Sequence, residues 1–200
     1  MANDGWIRVG SGALLLALIV TSGFYRARAE RKGGLLPARP DGLPATSVRV
    51  AIGIAVWAAL LLPILAPSTV GWISAPLPSV LRLAGLGLLG GAGLLLWWTL
   101  ASIGDNISPS TSTRAGARLV TEGPYRFVRH PLYTGGFLAM LGIGLANQSI
   151  PLLAAVPILL WWLPRRVRDE ERNLTASYGD AYRAYQTRTG RFLPRLARQQ

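Results

Sequence analysis

Apolar residues in this chain come in long runs, separated by short polar breaks rich in proline, glycine and arginine. A hydrocarbon core of about 30 Å takes about 20 helical residues to cross. Residues 6–25 fit one such helix, 48–66 a second and 79–100 a third. A polar stretch, 101–122, follows. Apolar character returns over 132–146, breaks at Asn147, Gln148, Ser149 and Pro151, and resumes over 152–163. Each of these halves is short for a span, while one unbroken helix would hold three polar residues in mid-membrane. The pattern predicts a tight helical hairpin. The expected fold is therefore all-α and polytopic, with five transmembrane helices. Residues 1–78 hold the first two spans and their loops, 79–200 the remainder, together one membrane domain.

Charge sharpens this topology. The formal charge is +12, but the arginines flank apolar runs instead of forming one basic face. With no zinc, helix-turn-helix or RNA-binding signature, nucleic acid is not an expected partner. Positive-inside flanking accounts for the excess. Five passes with the N-terminus outside leave only Arg8 and Arg82 on the outer side; a single pass through the hairpin would export the nine arginines from Arg165 to Arg198. Residues 123–136 and the C-terminal tail then lie on the cytoplasmic face of an inner-membrane protein. Ala27-Arg28-Ala29 superficially matches a signal cleavage site. Residues 6–25 are long for a signal core, though, and a basic flank follows, so a retained anchor is expected.

Within the third span, Gly87 and Gly91 form a small-x-x-x-small pair suited to close helix packing. Trp97 and Trp98 mark the membrane–water interface. The chain has no cysteine and one histidine, which leaves no disulfide, no thiolate and no multi-histidine metal site, and no metal is expected.

Two segments carry candidate chemistry. Residues 123–136 gather two prolines, three glycines, two arginines, two tyrosines and the single histidine, His130. The tail over 165–188 reads as an amphipathic helix. Arg166, Glu170, Leu174, Tyr178 and Tyr182 recur at steps of four, Tyr185 continues their face, and the opposite face is charged. A helix lying along the headgroups explains the tyrosines and arginines. It does not explain Asp169, Glu170 and Glu171 in a row, and a membrane-adjacent carboxylate facing a bundle is a functional candidate. Glu170 takes that role, Glu171 is expected to face water, and Arg129 is placed either to brace a carboxylate of the tail or to contact the ligand directly.

In order and spacing, Leu119-Val120-Thr-Glu-Gly-Pro-Tyr125, Arg129-His130-Pro131-x-Tyr133-x-Gly135, Glu170-Glu171-x-x-Leu174, Tyr178-Gly179-x-x-Tyr182-x-x-Tyr185 and Arg191-Phe-Leu-Pro194 resemble the isoprenylcysteine carboxyl methyltransferase family and its phospholipid methyltransferase relatives. The resemblance covers about half the chain, residues 99–195. It implies methyl transfer from S-adenosylmethionine, giving S-adenosylhomocysteine, in a cytoplasm-facing pocket, to a lipophilic small molecule or prenylated substrate met among membrane lipids. By motif, Arg118, Leu119, Val120, Tyr125, His130, Pro131, Leu132, Tyr133 and Glu170 would line the cofactor pocket, and Arg166 would meet the acceptor. Arg166 and His130 are the implied catalytic residues. The family often has histidine where this chain has Ala117.

Elementary chemistry is consistent with those roles. Tyrosine faces suit adenine or a sulfonium, a glutamate suits an ammonium or ribose hydroxyls, and Pro131 suits the first turn of a helix. His130, restricted to extended geometry by that proline, is expected to face the pocket. A carboxylate acceptor, already ionised at pH 7, needs only a cation such as Arg166 to orient it. An amine or thiol would call on His130 as proton acceptor. Two alternatives stay open: an NADPH-dependent sterol-type reductase with a similar Arg-His-Pro-x-Tyr pattern, and a non-enzymatic membrane scaffold. The Glu170-Glu171 helix and the lead-in to Tyr125 favour the methyltransferases.

Overall fold

The structure, a computed structural model, describes residues 5–31, 46–104 and 118–195. Ala117, Lys32, Arg39, Arg114 and the serine- and threonine-rich residues 108–113 lie outside them. The elements are α1 (Gly5–Arg31), α2 (Thr46–Leu65), α3 (Pro67–Val70), a 3-10 turn (Gly71–Ile73), α4 (Ser79–Ile103), a second 3-10 turn (Gly123–Arg126), α5 (Pro131–Ala146) and α6 (Ile150–Arg188). Among the described residues there is no strand, only isolated bridges between Ser74 and Ser149 and between Val128 and Gly190. The helical class is the one the hydropathy pattern predicts.

Three helices, α1, α4 and α6, are long and apolar enough to cross a membrane. Gly53–Leu65 and Pro67–Ile73 reach that standard only together, bent by 117°. At 1.5 Å per residue, the 16 residues of α5 rise about 24 Å, less than a full core. Many apolar side chains point outward, Leu16, Ile54, Leu94 and Trp161 among them, as a lipid-facing surface requires. This is an integral membrane protein.

The hairpin is present, but its second arm does not stop where the apolar run stops. α6 continues without a break from Ile150 through the polar tail as far as Gly179, where φ 54° and ψ −129° interrupt the helix. Only a residue without a Cβ takes that left-handed geometry cheaply. The face that α6 buries also differs from the expected one. Leu163, Val167 and Glu171 are buried, a stripe at steps of four offset by one position from Arg166 and Glu170. After the kink, Tyr182 and Tyr185 return to the interior.

By contacts the chain forms two compact units: Met1–Ala17, Pro40–Gly93 and Gly136–Trp161 in the first, Leu18–Arg39, Leu94–Gly135 and Trp162–Gln200 in the second. The first contains the hairpin turn. There Asn147 bonds both Ser11 Oγ of α1 (3.0 Å) and the Ile143 carbonyl (3.2 Å). Arg82, expected simply on the outer side, is buried in this unit, and its Nε donates to the Ala146 carbonyl at 3.2 Å. Ala146 ends α5, where carbonyls lack intrahelical partners and the helix dipole favours a cation.

The close helix approach also falls elsewhere than expected. A Cβ at Gly87 or Gly91 would meet nothing within 4 Å. A Cβ at Gly142 would lie 2.7 Å from the Gly85 carbonyl oxygen and 2.7 Å from the Leu89 nitrogen, and one at Gly85 would lie 2.7 Å from the Ala146 nitrogen. Gly85 and Gly142 let α4 and α5 touch backbone to backbone. Gly142→Ala is thus expected to lower stability by about 1–3 kcal/mol, while Gly87→Ala leaves it unchanged or raises it by up to about 1 kcal/mol through helix propensity. Unfolding of the detergent-solubilised variants measures both.

Candidate active site

All of the site geometry lies in the second unit. Its frame is main-chain pairing between residues 128–130 and 190–191. The Arg129 N–H donates to the Gly190 carbonyl (2.8 Å) and the His130 N–H to the Arg191 carbonyl (3.1 Å). Pro131 opens α5 and is fully buried; at that position its missing N–H costs nothing, because no intrahelical partner exists there. The Thr134 N–H bonds back to the His130 carbonyl at 3.1 Å, and Thr134 Oγ1 donates to the Phe192 carbonyl at 3.1 Å. Upstream, the Tyr185 hydroxyl donates to the Tyr125 carbonyl at 2.6 Å. The two motif segments are therefore held by main-chain pairing, to which the Thr134 and Tyr185 hydroxyls add a bond each.

Glu171 sits inside this frame, 5% exposed. Arg129 Nε lies 2.8 Å from Oε1, Arg191 Nη2 2.6 Å from Oε2, and His130 Nε2 3.3 Å from Oε1. A carboxylate can only accept, so Nε2 carries the hydrogen in that contact. Arg129 also donates to the Gln186 carbonyl (3.2 Å) and to the Thr189 carbonyl. The expected brace by Arg129 is present, and its partner is Glu171. Glu171 was expected to face water; it is buried because α6 turns its 163/167/171 stripe inward, and the desolvated charge holds there because three donors surround it.

Glu170, about 100° further round the helix, has a different setting. Its side chain is 29% exposed, its Oε2 accepts from the Tyr133 hydroxyl at 3.0 Å, and its Oε1 stands 3.9 Å from His130 Nδ1. The Arg166 guanidinium, one turn earlier on α6, also reaches the Tyr133 hydroxyl. Tyr133, Arg166 and Glu170 thus form an open cluster beside a closed one built on Glu171. His130 lies between them with both ring nitrogens towards carboxylates. It is 4% exposed, packed against Tyr133 and Phe192 at ring-centre distances of 5.8 and 6.1 Å, and so faces the carboxylates rather than open space.

The other residues singled out from sequence are less tightly gathered. Tyr125 is half-buried in the 3-10 turn, and burial pushes its phenol pKa well above the ordinary value. Arg118, Leu119 and Val120 lead into that turn as irregular chain, Arg118 exposed and the other two half-buried. The Leu132 side chain is exposed on the first turn of α5. Among the described residues no group of three or more histidine, aspartate or glutamate side chains is placed to hold a metal ion. Sequence reasoning did not assign site positions to Arg191 and Glu171. The Glu170-Glu171 pair and the Arg191-Phe-Leu-Pro motif were their signals, and what each residue meets depends on helix phase and main-chain pairing.

The sequence model of the phospholipid methyltransferase family matches residues 80–181, just over half the chain. The chain belongs to that family. It is 34% identical over 128 residues to the nickel-cobalt-cadmium resistance protein NccN of Alcaligenes xylosoxydans xylosoxydans, covering 63% of this chain and 54% of NccN. It is 32% identical over 77 residues to the protein-S-isoprenylcysteine O-methyltransferase of Schizosaccharomyces pombe, covering 38% of this chain and 33% of that enzyme. The chain thus spans about half, or less, of the length of these relatives. Among solved structures, the eukaryotic intramembrane Ras methyltransferase ICMT (isoprenylcysteine carboxyl methyltransferase) shares the fold, with TM-score 0.55 and 20% identity over 76% of this chain and 54% of that one. These matches bear out the resemblance carried by the sequence motifs, and family membership favours the methyltransferase over the reductase.

The asymmetry of the two glutamates gives a measurable contrast. Glu171→Gln removes the charge that compensates Arg129 and Arg191, and is expected to lower stability by about 3 kcal/mol. Glu170→Gln, which perturbs one half-exposed hydrogen bond, should cost no more than about 1 kcal/mol. Denaturant unfolding in one detergent compares them; equal losses would refute the asymmetry.

Proposed function

We propose that this member of the phospholipid methyltransferase family is an integral membrane enzyme that transfers a methyl group from S-adenosylmethionine to a lipophilic acceptor, a carboxylate being favoured. The observation that carries this reading is the open cluster of Tyr133, Arg166 and Glu170 beside buried His130. One carboxylate with oxygen capacity to spare, one guanidinium and one tyrosine ring fit a ligand that has an ammonium, a carboxylate and an aromatic base. Bound S-adenosylmethionine supplies an electrophilic methyl on a cationic sulfonium.

The remaining roles belong to the chain. Glu170 accepts from the ligand's ammonium or ribose hydroxyls. Tyr133 and Tyr125 present ring faces, and Tyr125 stays neutral because burial disfavours its phenolate. Arg118, Leu119, Val120, Pro131 and Leu132 complete the pocket's lining. Arg166 orients an ionised carboxylate acceptor without gripping it so strongly that the ground state gains as much as the transition state. No general base is then required, and His130 acts by donating from Nε2 to Glu171 and holding that glutamate in place. An amine or thiol acceptor would make His130 the nearest proton acceptor. Positioning and water exclusion supply much of the rate.

The proposed topology has five passes, the N-terminus outside, and the site and tail in the cytoplasm. Residues 79–200 form the methyltransferase core. That count takes the α2–α3 bend and the short α5 as passes in addition to the three helices long enough to cross by themselves.

Titration calorimetry of the purified protein with S-adenosylmethionine is the direct test. Glu170→Ala is expected to weaken binding about 10- to 100-fold, the effect of one hydrogen bond to a charged group. Arg166→Ala should leave that affinity near wild type and reduce turnover of a carboxylate acceptor. Absence of binding by the folded protein would overturn the proposal, and equal loss of affinity in both variants would overturn the division of roles.

A further inference from the structure

The first unit holds a cavity of about 210 Å³ lined by Ala58, Ala59, Leu62 and Pro63 of α2, Val70 and Ile73 beyond it, and Ser74, Asn147, Ser149 and Pro151 at one end. Its body is apolar and its end polar. The polar groups at that end are nearly all committed. Ser74 Oγ donates to the Gly71 carbonyl at 2.5 Å, and Asn147 is shared between Ser11 and the Ile143 carbonyl. The Ser149 N–H donates to the Gly144 carbonyl at 2.9 Å. The exception is the Ser149 hydroxyl: the residue is 3% exposed and its Oγ has no hydrogen-bond partner.

That vacancy is unusual for its position. Ser149 stands immediately before Ile150, the first residue of α6, where a serine ordinarily bonds an N–H of the first helical turn. Pro151, second in the helix, has no N–H to offer. A buried hydroxyl left unpaired costs about 1–3 kcal/mol. Water could fill the volume only with two to four polar partners per molecule, and along the body of the cavity the apolar walls provide none. A cavity of about 150 Å³ with apolar walls stays dry and takes up small apolar molecules.

We propose that this cavity binds the end of a neutral lipophile bearing one oxygen, such as a long-chain alcohol or an ester carbonyl. The oxygen accepts the Ser149 hydroxyl hydrogen and the apolar body lies against Ala58, Ala59, Leu62 and Ile73. The site lies wholly within the first unit and does not depend on methyl transfer.

The test is photolabelling of the full chain in phosphatidylcholine nanodiscs with three diazirine probes: a dodecanol, a dodecane and a phosphatidylcholine labelled in its acyl chain. Crosslinks are mapped by mass spectrometry. The dodecanol probe is expected to label residues 58–63 and 70–73, to be displaced by excess unlabelled dodecanol, and to outcompete the dodecane. Ala59→Trp, which fills the cavity, should abolish labelling, and Ser149→Ala should weaken it about fivefold, the effect of one hydrogen bond. Ala58→Leu serves as a milder filling variant, with thermal unfolding as the control for folding. Labelling by the phosphatidylcholine probe with the same variant dependence supports the proposal with a bilayer lipid as occupant; labelling by dodecanol alone supports it with a free lipophile. Labelling indifferent to the filling variants, or equal for dodecanol and dodecane, overturns it.

Discussion

A single buried carboxylate holds the second unit together. Glu171 is met by Arg129, Arg191 and His130, which arrive from the stretch before α5 and from the chain beyond α6. A charge so placed is stable only if its countercharges are fixed in advance, because desolvation of an unmatched carboxylate costs several kcal/mol. Main-chain pairing of residues 128–130 with 190–191 fixes them. The hydrogen-bonded frame and the ionic centre each require the other, and His130 takes its orientation from both.

This arrangement explains how neighbouring residues of one chemical type take different roles. Glu171 is saturated and turned inward. Glu170 keeps capacity for a ligand because α6 turns it aside, towards Tyr133 and Arg166. That separation leaves the more exposed polar cluster distinct from the buried one.

Much of this was legible in the sequence. The apolar runs gave α1, α4, the hairpin and the helical tail, and motif order brought His130, Tyr133, Glu170 and Arg166 to one cluster. Of the two readings open for Arg129, a brace and a direct ligand contact, the structure shows the brace. Other features were hidden for physical reasons. Composition cannot tell Glu170 from Glu171, because the difference is one step of helix phase set by packing at Leu163 and Val167. Glycine spacing singled out Gly87 and Gly91, whereas the contact is made by Gly85 and Gly142; spacing on one helix does not say which partner it meets. Arg82 read as a topology marker, because only the structure shows the carbonyl of Ala146 waiting for it. The burial of His130 needed Phe192, more than sixty positions away in sequence.

The unbroken course of α6 from Ile150 to the kink at Gly179 has a consequence for how such a chain can change over time. Each residue added to or removed from the stretch between Leu163 and Glu170 would rotate everything beyond it by about 100°. A one-residue insertion would swing Glu170 towards the arginines and Glu171 away from them. Side chains along this stretch can drift in identity while its length cannot, so descent with substitution is open to this segment and descent by single insertions or deletions is closed.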